Sequence, residues 1–167
     1  KASEIYFTSS GSESDNWAIK GSLKAKEKNH IISSKIEHPA ILNSLKKIEK
    51  WGAETSLVSV DGEGFVDLEE IKSSIKDSTR LISIMFANNE IGTIEPLREI
   101  ANIAREKNIL FHTDAVQAMG NVKFKLDDIG ADMLSLSGHK LGAPKGVGLL
   151  YIRDGVDLDN FMDGGEQ

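Results

Sequence analysis

No cysteine occurs in this 167-residue sequence, so it holds no disulfide framework, no thiolate metal site and no catalytic thiol of its own. A net charge of −6 leaves no basic excess with which to hold nucleic acid or an anionic membrane surface. No apolar run approaches the roughly 20 residues of a membrane-spanning helix, and no charged-then-apolar leader pattern opens the chain. Neither a G-x-x-x-x-G-K nor a G-x-G-x-x-G phosphate fingerprint is present, and no internal repeat or low-complexity tract interrupts the sequence. What remains, with 40% hydrophobic and 28% charged residues, is ordinary for one globular domain. The length suffices for a sizeable core and is too short for two domains. Its abrupt start at Lys1 and its end at Gly164-Gly165-Glu166-Gln167 suggest a domain excised from a longer protein.

The hydropathy pattern alternates between short apolar runs and amphipathic stretches. Strands are expected over 4–7, 30–34, 55–58, 81–86, 109–112, 133–136 and 147–152. Ser10 and Glu13 have capping-box spacing at the start of a helix running to about Lys28. Pro39 suits the first turn of a second helix, whose Ile41, Leu42, Leu45, Ile48 and Trp51 share one face. Residues 59–70 imitate an EF-hand loop, but Ser59 stands where its first aspartate belongs and a β-branched run precedes it. Asp67 with Glu70 reads instead as the cap of a third helix carrying Leu68, Ile71 and Ile75, and Pro96 opens a fourth with Leu97, Ile100, Ala101 and Ala104. Seven strands alternating with helices imply an α/β fold: a mainly parallel seven-stranded sheet with helices on both faces. Leu81-Ile82-Ser83-Ile84-Met85-Phe86 fits a strand buried on both sides.

Such sheets bind ligands beyond the carboxyl ends of their strands. Five strand ends here carry small polar clusters: Ser10 to Ser12, Glu37-His38, Asn88-Asn89, Asp114 with Gln117, and Ser137 with His139-Lys140. The last places a hydroxyl, an imidazole and an amine beside a Gly/Pro-rich bend, a setting for anion binding or a Schiff base. A lysine, a neighbouring carboxylate, an aromatic-sized cap and a hydroxyl-lined helix N-terminus together suit pyridoxal 5′-phosphate. Its aldehyde needs an amine, its ring nitrogen an anion, and its phosphate N–H and O–H donors. Lys140 and Asp114 fit the first two. A second chemistry, metal-assisted hydrolysis, would pair His112 and Asp114, two apart on a strand, with His139 or His38. It leaves Lys140 and the Ser10–Ser12 turn without a task. A non-catalytic α/β binding module is a third reading.

Ser137-Gly138-His139-Lys140 with Pro144-Lys145-Gly146-Val147-Gly148 resembles the cysteine desulfurases of the class V aminotransferase group. So do Phe7-Thr8-Ser9 through Asn16, Glu37-His38, Asn88-Asn89-Glu90-Ile91-Gly92 and Asp114-Ala115-Val116-Gln117, in family order across nearly the whole chain. The resemblance implies the large domain of a fold-type I pyridoxal-phosphate enzyme. It makes Lys140 the Schiff-base lysine, Asp114 the ring-nitrogen partner and His38 the imidazole stacked on the ring. Gln117 and Asn89 would lie by the ring hydroxyl, Asn89 also near the substrate carboxylate, and Gly11, Ser12, Ser137 and His139 would hold the phosphate. No metal is implied. L-cysteine would be the substrate and L-alanine a product, with sulfur passing to an enzyme cysteine outside this chain and on to an acceptor protein for iron–sulfur cluster or other sulfur-compound synthesis. The resemblance also implies a cytoplasmic homodimer whose isolated large domain is inactive. It leaves selenocysteine lyase and other class V enzymes as alternatives. Ser10-Gly11-Ser12 stands where the family usually shows Gly-Ala-Thr, and Ala143-Pro144 where it shows Gly-Pro.

Overall fold

The computed structural model describes residues 1–164. The final Gly165-Glu166-Gln167, which the sequence suggests begin a following region, lie outside the described residues. Seven strands form one sheet: β1 (Ile5–Thr8), β2 (His30–Ser34), β3 (Glu54–Val58), β4 (Thr79–Ser83), β5 (Leu110–Asp114), β6 (Met133–Ser137) and β7 (Gly148–Ile152). Their order is β1-β7-β6-β5-β4-β2-β3. Pairings from β3 through β6 are parallel, and β7 alone runs against its neighbours β6 and β1. Six strands therefore end at the same rim, and β7 begins there.

Helices α1 (Gly11–Gly21) and α2 (Pro39–Glu49) cover one face, packing Ala18, Ile19, Ile41, Leu45 and Ile48 onto Ile31, Leu81, Met133 and Leu150. On the other, α3 (Leu68–Ser74), α4 (Leu97–Glu106) and the short α5 (Leu126–Ile129) lay Ile71, Ile100, Ala104 and Ile129 against Ile32, Ile82, Phe111 and Leu134. Alternate residues of β4 thus feed opposite layers, Leu81 one and Ile82 the other. This is why Leu81 and Ile82 are both apolar, although β4 ends at Ser83 and the strand expected over 81–86 stops three residues early.

Several boundaries differ from the sequence expectation. Helix α1 stops at Gly21 rather than near Lys28, because Asn29 closes the following turn by accepting from Lys24 N–H and donating to the Lys24 carbonyl. Trp51 lies beyond the end of α2 and is 56% exposed, with Lys20 and Lys47 over its ring. Strand β5 extends to Asp114, so the carboxylate expected just past a strand is its last residue. Both capping boxes form only half. Ser10 Oγ accepts from Glu13 N–H, while the Glu13 carboxylate turns to Ser9 N–H. Asp67 accepts from Glu69 and Glu70 N–H, while Glu70 reaches across to Ser59 N–H.

Glu37 sits at the rim but points inward. Its Oε1 accepts from Ser34 Oγ at 2.7 Å and Met85 N–H at 2.9 Å, tying the end of β2 to the segment after β4, and Oε2 is buried without a partner. Burial pushes this carboxyl up to about 8 and that of Glu95 up to about 7. A folded-state value raised above the unfolded 4.5 means that the stabilising contribution is complete below 4.5 and is lost as pH rises toward 8. The thermal unfolding midpoint should therefore fall across that window, and Glu37→Gln should flatten much of the fall. An unchanged slope in the variant, followed by circular dichroism, would remove Glu37 as its source.

Candidate functional site

At the rim, β1 hands the chain to α1 through a turn braced by Thr8, whose Oγ1 bonds the Ser10 carbonyl at 3.0 Å and Ser14 Oγ at 2.8 Å. The turn is seated directly on β7. A Cβ added to Gly148 would lie 2.3 Å from the Ser10 carbonyl carbon, and one added to Gly11 would lie 2.7 Å from Val116 Cγ2. Glycine at both positions lets the α1 N-terminus come against the ends of β5 and β6, with the first-turn N–H groups of Gly11 and Ser12 free of intrahelical partners.

Beyond β6, Ser137 opens a 3₁₀ turn over Gly138–Leu141 that carries His139 and Lys140. Ser137 Oγ and His139 Nδ1 are 2.7 Å apart, and Lys140 is exposed. From the β2–α2 junction comes His38, whose Nδ1 accepts from Ala40 N–H at 3.1 Å. An N–H can only donate, so neutral His38 carries its proton on Nε2. At the end of β5, Asp114 Oδ1 accepts from Val116 N–H at 2.9 Å, which leaves Oδ2 for a ligand. Burial raises the Asp114 carboxyl above its ordinary value, against the opposing pull of that N–H.

These groups meet. Gly11, Ser12, His38, Asn89, Asp114, Gln117, Ser137, His139 and Lys140 all line one open-sided cavity of about 260 Å³. That is below the roughly 300–1,000 Å³ of sites that enclose a drug-sized ligand. The adjacent polar clusters divide their work. Asn88 caps its own turn, accepting from Glu90 and Ile91 N–H, whereas Asn89 lines the cavity. Glu37, paired with His38 in sequence, is taken up in the strand tie described above.

His112 has no room for a metal. Its Nδ1 bonds Ser83 Oγ and its Nε2 bonds Ser135 Oγ, each at 2.9 Å, and complete burial lowers it to about 3, so the ring is neutral. A group of three, Asp15, His38 and Asp114, instead brings its ligand atoms within 4.8 Å of one another. Asp15 also lines the cavity. It stands four residues after Gly11, one helical turn on, and that spacing from the helix N-terminus is the only sequence signal that points to it.

A mainly parallel sheet with a hydroxyl-bearing turn after its first strand and a lysine turn after its sixth has the architecture of the large domain of fold-type I pyridoxal-phosphate enzymes. The chain matches the solved structures of a NifS-like protein at TM-score 0.94 and 43% identity, covering 99% of this chain and 46% of that one. It matches SspA in complex with cysteine at TM-score 0.94 and 41% identity, covering 99% and 49%. The family model described as Aminotransferase class-V matches residues 1–167, and the chain belongs to that family, which is pyridoxal-phosphate dependent. Among curated relatives, cysteine desulfurase IscS of Clostridium botulinum (strain Hall) is 57% identical over 166 residues, and that of Methanosarcina thermophila is 54% identical. The alignments cover 98% of this chain but 42% and 41% of those proteins, so the chain spans less than half of their length. No helix among the described residues is long and apolar enough to cross a membrane.

Proposed function

We propose that this chain is the cofactor-binding domain of a pyridoxal-phosphate-dependent cysteine desulfurase, which takes sulfur from L-cysteine and leaves L-alanine. The observation that carries the reading is the convergence of Lys140, Asp114 and His38 on one cavity floored by the α1 N-terminus. The residues present fit the cofactor: a helix N-terminus with free N–H groups at Gly11 and Ser12, a carboxylate oxygen left open on Asp114 and an exposed amine on Lys140, all lining one cavity.

When bound, pyridoxal phosphate supplies an electron sink for carbon-centred chemistry on the amino acid. Lys140 would provide the amine that holds its aldehyde. Asp114, with Oδ2 left open, would keep a proton on the ring nitrogen, a task for which a buried carboxylate without a resident cation is well suited. His38, oriented by its bond to Ala40 N–H, would supply an imidazole to hold the ring. The N–H groups of Gly11 and Ser12, with the Ser137–His139 pair, provide the phosphate donors. Asn89 and Gln117 contribute amides at the remaining side.

With no cysteine in the chain, the thiol that receives sulfur belongs to another part of the enzyme, and serine or lysine cannot replace a thiolate in that step. The small, open cavity agrees with a site completed by further segments and by a second subunit in a homodimer. The test is to add pyridoxal phosphate to the protein, reduce with borohydride and map the label. A yellow adduct fixed on Lys140 is expected, and with cysteine but no external thiol this chain alone should release less than stoichiometric alanine. A label elsewhere overturns the assignment of Lys140, and steady alanine release overturns the placement of the sulfur-accepting thiol outside the chain.

A further inference from the structure

Asp15 is 1% exposed on the second turn of α1, and its Oδ1 has no hydrogen-bond partner. The groups facing it come from four directions. Strand β5 presents Asp114, within 4.8 Å, and His112, whose Nε2 lies 3.8 Å from Oδ1. The β2–α2 junction presents Glu37 and His38, and β6 presents Ser135, already bonded to His112. Lys140 lines the same cavity but is exposed to solvent. His112 is neutral, so no buried cation offsets a charge on Asp15.

Two buried carboxyls this close do not both ionise. The geometry decides between them. Asp114 has a backbone N–H on one oxygen, which favours its anion, whereas the one donor that favours an anion on Asp15, the Ser135 hydroxyl, is shared with His112 Nε2, and Asp15 Oδ1 keeps no hydrogen-bond partner. Burial, followed by the charge of Asp114, holds the Asp15 carboxyl well above the usual range. We propose that Asp15 and Asp114 form a carboxyl pair carrying one proton, held on Asp15, so that Asp114 alone presents negative charge to the ligand. Asp15 is then a positioning residue. Resting on the reading above that Asp114 faces a ring nitrogen, it keeps the local charge at −1 through neutral pH, matched to a single protonated nitrogen.

The test is infrared spectroscopy of the intact protein that carries this chain, in the carbonyl-stretch region of protonated carboxylic acids. At neutral pH the wild-type spectrum should contain a band that Asp15→Asn removes, distinct from the band that Glu37→Gln removes. In Asp114→Asn, with the neighbouring charge gone, the Asp15 band should persist at neutral pH and its loss on alkaline titration should move to lower pH, because removing a nearby negative charge makes Asp15 more acidic. Absence of an Asp15-dependent band, or an unchanged midpoint in Asp114→Asn, overturns the proposal, and the second measurement serves even where Asp15→Asn does not fold. Visible absorbance of added pyridoxal phosphate separates the two readings. If no adduct forms while the acid band is present, the assignment of the cofactor fails and the carboxyl pair stands. If the adduct forms without the band, the pair fails and the cofactor stands.

Discussion

Replacing Lys140 with alanine in the intact enzyme is expected to abolish both the visible absorbance of attached pyridoxal phosphate and the borohydride label. Turnover should fall by more than roughly a thousandfold, the scale seen when a covalent nucleophile is removed. The fold should be untouched. Lys140 is exposed on a 3₁₀ turn of four residues, outside both core clusters, and substitutions of that kind change stability by about 0.5 kcal/mol or less. Equal unfolding midpoints for wild type and variant, measured without cofactor, would confine the loss to chemistry. A variant that retained the absorbance would show that another amine carries the cofactor.

Asp114→Asn should separate stability from catalysis in the opposite sense. Without cofactor, Asp114 is a buried carboxyl raised above its ordinary value by desolvation, so its contribution to stability is lost as pH rises from the unfolded 3.8 through the higher folded value. Asparagine keeps an oxygen to accept from Val116 N–H and removes the charge, so the cofactor-free variant should melt no lower than wild type at neutral pH and show a shallower decline as pH rises from 3.8. Activity should fall by roughly 10²–10³-fold, the scale of losing one preorganised electrostatic contact, since a neutral amide cannot hold a ring nitrogen protonated. Turnover close to wild type would remove Asp114 from that role. A melting point lowered by several degrees would show that its charge is compensated within the chain.

The parts of the site legible in the sequence were those with an unusual residue in an unusual place. Lys140 and His139 follow a short apolar run and precede a Gly/Pro bend, and Asp114 follows another such run, so each marks a strand end without any knowledge of its neighbours. Neighbouring residues of the same type were harder to separate. Asn88 and Asn89 are alike in one dimension, and only the turn geometry gives Asn88 to backbone capping and Asn89 to the cavity. His112, two residues before Asp114, has the spacing of a metal ligand, yet two serines from β4 and β6 occupy both ring nitrogens. Serines at those depths in two other strands carry no sign in the sequence that they face the same histidine.

The sequence by itself determined the α/β class, the seven strands, the rim at which chemistry-bearing residues gather and the absence of a thiol from this chain, because each follows from local periodicity, end residues or composition. Tertiary structure decided how those residues are used. The order β1-β7-β6-β5-β4-β2-β3 brings the turn after β1 against the ends of β5 and β6, which lie far from it in sequence, and the close seating at Gly11 and Gly148 makes that approach possible. It also sets Asp15 against Asp114. Their 99-position separation in sequence leaves no trace of the contact, since the interaction of two carboxyls depends on distance through space and on the water removed around them.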